Sequence, residues 1–409
     1  MKKLVFIEAN TSGSGMLAFE KARQLNIEPI FFTNNPTRYK GLQEKHVQTV
    51  ICNTNSLDEL QNKILPYLEG NDLLGITTTS EFYIYTIARL NEYFHLEGNS
   101  SFTISNVRNK AKMRELLNNY DFLYCPDFFV IEDEEDLTSI KNELKLPCIV
   151  KPVDDSGSSL VLKCNSYGEI CQHIKHIKSS PYNSRGQKKD SSILIEEFIE
   201  GEEYSIECLS YKMQHHIIGI TKKIVDNEPY FVEVGHYFPA QLENWTKQLI
   251  EQSIIQILNL IEWQFGPSHI EFKIKAKKLC IIEFNGRLAG GMIPEIIKYA
   301  TSLDLLQEQI KIVCGVPPTP EVKVKQVAAI RHLAPQKSGK ICLSFPERGL
   351  QNIAAVKIFI KNDIFIPKAT NAYGRIGYLI ATGSNYQEVK TKLDEGEKAL
   401  KICIKENAF

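Results

Sequence analysis

The sequence carries no surplus of charge of either sign: 48 Lys and Arg stand against 49 Asp and Glu, a net of -1. That balance gives no overall attraction for nucleic acid or an anionic membrane, and the basic residues form no sustained stripe interleaved with aromatics. Any anionic ligand must be held by local positive charge. No apolar run approaches the roughly 18 residues of a membrane span, and the opening Leu4-Val5-Phe6-Ile7 is too short for a signal peptide. A cytoplasmic protein is expected. The ten cysteines include no Cys-x-x-Cys, and Cys148, Cys280 and Cys403 lie in apolar runs where a thiol acts as a small hydrophobe. Neither disulfides nor a zinc site is expected. There is no internal repeat.

What is present is an ordinary globular composition, 43% apolar and 24% charged. A chain of 409 residues exceeds the roughly 250-300 that one core organises, so two or three domains are expected. Residues 1-105 alternate strand and helix: Leu4-Ile7, then the small-residue turn 9-15, then helical spacing over Met16-Leu25, then Pro29-Phe32. This is a parallel-sheet α/β unit. The turn resembles a phosphate cradle, yet Asn34-Asn35 stand where a dinucleotide-binding fold needs an acid. A structural turn with some ligand contact is the better reading.

The most informative pair is Glu271 and Glu283. They lie in two apolar runs, 269-274 and 279-287, joined by a basic turn around Lys277. A hairpin centred on Lys277 places 271 opposite 283, and the period of two puts Asn285 and Arg287 on the face of Glu283. Like charges opposed on a sheet repel by about 0.2-1 kcal/mol, so the pair calls for a cation. Two carboxylates and an amide oxygen are hard ligands of the kind Mg2+ accepts.

A second group precedes it. The helix at 109-114 offers Lys110 and Lys112. Lys151 ends the apolar strand 146-152 and is followed by Ser156, Gly157 and Ser158, a loop able to form an anion nest beside a point charge. Glu196, Glu197, Phe198 and Ile199 alternate at a strand end, where backbone groups can meet an adenine edge and Glu203 can accept from ribose hydroxyls. The polar stretch 175-192 reads as a mobile surface loop, and Gly315-Val316-Pro317-Pro318 as a stiff connector to a small α+β domain with one helix over Asn385-Leu400.

The order of these features resembles the ATP-grasp superfamily. The likeness spans about 106-310, and with the flanking regions nearly the whole chain; the Glu-Phe-Asn-Gly-Arg segment at 283-287 is its specific part. It implies an α/β parallel-sheet domain (1-105), an ATP-grasp domain of two α+β subdomains (106-315) and a C-terminal domain (316-409). It further implies that Lys110, or its competitor Lys112, and Lys151 with Ser156-Ser158 hold ATP phosphates, while Glu196 to Ile199 read adenine and Glu203 binds ribose. Glu271, Glu283 and Asn285 would hold Mg2+ or Mn2+, and Arg287 would face an acyl phosphate.

The segment Thr221-Lys222-Lys223 with 231-239 looks like the substrate loop of L-amino acid ligases in dipeptide and antibiotic pathways. There, Glu233 would receive an ammonium group and His236 would sit near the reacting carboxyl, either being the base. Some relatives carry a bulky aromatic at position 291, whereas Gly290-Gly291 leaves more room. The implied enzyme is an ADP-forming carboxylate-amine ligase acting on an amino acid or other small carboxylate and an amine, a homodimer among its oligomeric options, with 175-192 and 226-240 as lids. The competing readings are acylation of a carrier protein, a biotin-carboxylase-like activity, disfavoured by the lack of an Ala-Met-Lys-Met segment, and a non-catalytic nucleotide-binding protein.

Overall fold

The computed structural model describes residues 2-11, 15-70, 72-226, 229-343 and 350-405. Ser12, Gly13 and Ser14 of the expected 9-15 turn lie outside them. The strands Lys3-Ile7, Glu28-Thr33, Gln48-Ile51 and Leu73-Thr77 form the expected parallel sheet, with the first strand between the second and the fourth. Alternate residues face the helix Leu17-Gln24, and Phe6, Phe19 and Phe31 meet edge to face at 5.3 and 5.1 Å.

An antiparallel sheet of Phe128-Ile131, Ile193-Glu197, Cys148-Pro152 and Leu162-Cys164 follows. The helix Tyr167-Lys178 backs it, capped by the Ser166 hydroxyl accepting from the Glu169 N-H. The stretch 175-192, expected as a surface loop, is helical at its start, and the largely exposed remainder is tied to the N-terminal region at a few points: Arg185 donates to the Ala9 carbonyl at 2.9 Å, Gln187 to the Phe82 carbonyl at 3.1 Å, and Asn55 to the Arg185 carbonyl at 3.1 Å.

The largest element is an eight-stranded sheet in the order Lys278-Asn285, Phe265-Lys275, Glu203-Tyr211, Gln214-Val225, Glu233-Phe238, Val327-Leu333, Gly377-Gly383 and Ala355-Ile358. Its last three strands come from beyond residue 316, so backbone pairing such as Gly235 with Arg331 makes the C-terminal region a continuation of the same sheet. The stretch 226-240 is not a free lid; its second half is a strand paired on both sides. Trp263, fully buried against Phe284, anchors the hairpin that ends in Asn285. No helix among the described residues is long and apolar enough to cross a membrane.

Candidate active site

The hairpin has the pairing that the sequence arithmetic gives: Glu271 stands opposite Glu283, and His269 opposite Asn285. The route differs. The loop is the two residues Ala276 and Lys277, both with positive φ of 50° and 58°, which pairs 275 with 278 and 272 with 281. A bulge between Glu271 and Phe272 then adds Ile282 to one strand and brings Glu283 into line. Ile282 and Glu283 consequently both line one cleft between the antiparallel four-stranded sheet and the eight-stranded sheet.

Lys110 and Lys151 line the same cleft. Asn109 caps the helix by accepting from the Ala111 and Lys112 N-H groups, and the Lys110 N-H donates to the Val153 carbonyl at 2.8 Å. The Lys110 ammonium thereby reaches the Asp155 carbonyl at 2.7 Å and Glu283 at 3.2 Å. Lys112 is exposed and donates to the Ser105 hydroxyl, so of the two competitors Lys110 faces the site. Ser156, Gly157 and Ser158 form the expected tight loop, with positive φ of 73° at Gly157 and 56° at Ser158.

Glu196 is 5% exposed, bonded to Lys151 and to Arg114 at 2.7 Å. Burial alone would raise its pKa, but Lys151 and then Arg114 outweigh it and hold the carboxyl down at about 2. Its oxygens are thus committed to protein cations, and Glu197, Phe198 and Ile199 line the cleft with it. Lys273 already donates to the Ile199 carbonyl at 2.9 Å. Arg114 was not singled out from the sequence, although it lies four residues after Lys110 and so on the same helix face.

The sequence reading gave no role to Lys223, the hub of the substrate side. Its ammonium, 1% exposed, lies 2.7 Å from Glu203, 2.8 Å from Glu233 and 2.7 Å from Glu271. Burial works against its charge, yet these three acids keep its pKa well above the usual lysine value. Glu271 also accepts from His269 at 3.0 Å, whose other ring nitrogen meets Glu207 at 2.8 Å. Lys223 and His269 outweigh burial and hold Glu271 at about 2.

Glu271, Glu283 and Asn285 fit a hard divalent ion by donor chemistry, with two carboxylates and one amide oxygen on neighbouring positions. Among the described residues no group of three or more His, Cys, Asp or Glu could hold a metal by itself, so such an ion would draw its other ligands from nucleotide and water.

Glu233 is held by Lys223 on one oxygen and by Arg375 at 2.8 Å on the other. Against the effect of burial, these cations keep its pKa well below the usual carboxylate range. His236 is fully buried, neither ring nitrogen has a hydrogen-bond partner, and burial lowers its pKa to about 3. Neither group binds protons readily near neutrality in this arrangement. A Cβ added at Gly291 would lie 2.6 Å from His236 Nε2 and 3.5 Å from His332 Nε2, so the room left by that glycine is taken up by histidine. Arg287 donates to the Leu288 carbonyl and to Asn285, and pairs at 2.7 Å with Glu81, an acid of the N-terminal region that the sequence reading missed.

Residues 144-295 match the ATP-grasp domain family model. The chain is 24% identical to the uncharacterized protein y4rH of Sinorhizobium fredii, over 99% of this chain and 84% of that one. It is 24% identical to the L-arginine-specific L-amino acid ligase of Bacillus subtilis, over 64% of this chain and 63% of that one. The crystal structure of L-amino acid ligase from Bacillus licheniformis superposes with a TM-score of 0.80 at 22% identity, covering 99% of each chain. On these likenesses, residues 144-295 match the ATP-grasp domain, and the chain as a whole is similar in sequence and in fold to L-amino acid ligases.

Proposed function

We propose that the protein activates an amino-acid carboxylate as its acyl phosphate at the expense of ATP and joins it to an amine, releasing ADP and phosphate. The observation that carries this reading is the Glu271-Glu283 pair lining one cleft with Lys110 and Lys151, with the buried Lys223 ammonium ion-paired to Glu271. A carboxylate oxygen is a poor leaving group, so amide formation at neutral pH needs it converted to a better one. In the first step the substrate carboxylate oxygen bonds to the γ-phosphorus and the bond to the ADP oxygen breaks. In the second, the amine nitrogen attacks the acyl carbon, phosphate departs with the bonding pair, and the nitrogen loses a proton.

Most of the work is alignment and cancellation of charge. Lys110, Lys151 and the 156-158 loop would hold the phosphates, with Glu196 and Arg114 fixing where Lys151 reaches. Glu203 would accept from the ribose hydroxyls, and Ile199, Phe198 and Ile282, which line the cleft, would offer the base apolar surface. A divalent ion held by Glu271, Glu283 and Asn285 would neutralise the phosphate oxygens. Arg287, oriented by Glu81, would stabilise the acyl oxygen. Glu233, ionised at neutral pH, suits the ammonium group of the substrate as a charge partner more than it suits proton abstraction. Holding the reactants in line is worth about 7-11 kcal/mol of a barrier of this kind.

The test is a screen of ADP release with L-amino acids singly and in pairs, followed by product analysis. Amide product with ADP and phosphate supports the proposal, whereas AMP and pyrophosphate would remove it. Turnover that appears only on adding a carrier protein would move the assignment to carrier acylation.

A further inference from the structure

The segment 371-375 comes from the far C-terminal region, yet it touches both halves of the cleft. Asn371 caps a single turn at Ala372-Gly374. On one side the Ala372 N-H donates to the Gly157 carbonyl at 3.3 Å. The Tyr373 ring lies so close to Gly157 that a Cβ there would be 3.2 Å from it. On the other side Arg375 makes a two-point contact with one residue: its Nε donates to the Glu233 carbonyl at 3.0 Å, and its Nη2 to Glu233 Oε2 at 2.8 Å. Lys223 takes the remaining oxygen, Oε1. Glu233 is pinned at its backbone and at both carboxylate oxygens.

We propose that Arg375 is a positioning residue of the ligase site, orienting Glu233 toward the substrate ammonium, and that the 371-375 turn couples that carboxylate to the phosphate loop at Gly157. This rests on the ligase reading above. The planar guanidinium spans the Glu233 backbone carbonyl and its Oε2 with two donors in fixed relation, which ties the carboxylate to its own main chain in a way a single lysine ammonium cannot. Lys223 alone would leave Oε2 free to swing and would leave Glu233 shared among the acids that Lys223 also serves. Because Tyr373 and Ala372 sit on Gly157, displacement of the phosphate loop would displace Arg375 as well. Nucleotide and amino acid should therefore bind with positive coupling, each tightening the other.

The experiment is steady-state ADP release by the full chain, using the amino-acid pair that gives the highest wild-type rate in the screen. Arg375→Ala should raise KM for the amino acid roughly ten- to a hundredfold, the worth of a charged hydrogen bond, while KM for ATP measured without saturating amino acid changes less than about twofold. Arg375→Lys should recover part of the loss. Glu233→Gln combined with Arg375→Ala should cost little more than Glu233→Gln alone, since Arg375 acts through Glu233. Tyr373→Ala should reduce the mutual tightening without abolishing turnover. Should Arg375→Ala fold poorly, Arg375→Lys, alone and combined with Glu233→Gln, carries the same test. An amino-acid KM unchanged in both Arg375 variants, or a loss confined to kcat with additive double-variant costs, would overturn the inference and leave the ligase reading intact. A wild type that releases no ADP with any amino acid would overturn both.

Discussion

Glu196 and Glu283 line one cleft, yet they are neutralised in different ways. Glu196 is 5% exposed, clamped between Lys151 and Arg114, with both oxygens occupied. Glu283 is 21% exposed and faces a single lysine ammonium at 3.2 Å. The first arrangement is closed: removing a partner strands a buried charge. The second is open, because a divalent ion can take over part of the role of Lys110 without unmaking any packing. Acids of one pocket thus divide into those closed within the framework and those left open to a further partner.

The comparison breaks most visibly at Arg114. Arg114→Ala should destabilise the fold by about 3-5 kcal/mol, the usual cost of breaking a buried pair, read from denaturant unfolding. Glu283→Ala should leave that unfolding curve in place and reduce ADP release by about 10^2-fold or more; a variant with most of its turnover would remove the metal assignment. Acid titration sharpens the contrast. The Glu196 carboxyl falls from its ordinary 4.5 to about 2 on folding, so its contribution to stability is present above pH 4.5 and is lost as pH drops toward 2. Glu196→Gln should flatten unfolding free energy over that window. His236 is lowered from 6.5 to about 3, so the unfolded chain takes up a proton that the native chain refuses, and stability should decline as pH falls from 6.5 toward 3.

Gly291→Ala comes next, with about 1-2 kcal/mol from its positive φ of 57° and a collision with His236, seen in unfolding and in amino-acid KM. Smallest is Lys112→Ala, whose ADP release should stay within about twofold of wild type, while Lys110→Ala loses nucleotide affinity.

Sequence reasoning reached what periodicity and spacing control. The parallel sheet, the strand ending at Lys151 and the hairpin opposition of 271 and 283 all follow from alternation over short distances. What it could not reach depends on pairs far apart in the chain. Lys223 and Glu203 face each other only because neighbouring strands align, and no local pattern marks Lys223 as more than the third residue of Thr221-Lys222-Lys223. Glu81 and Arg287 meet across about half the chain. Arg375 sits in the C-terminal region, beyond the span of about 106-310 that carries the resemblance. Polarity at 181-189 gave no sign that Arg185 and Gln187 donate to backbone carbonyls of the N-terminal region.

The extra residue at Ile282 has one more consequence. An unbroken strand alternates sides, so an apolar residue and the acid next to it would point in opposite directions. Here two successive positions open on the same cleft, one apolar and one charged. Grafting this arrangement onto another hairpin would require carrying over the irregularity together with the acids; copied onto a regular ladder, the acid or its apolar neighbour would turn its back on the cleft.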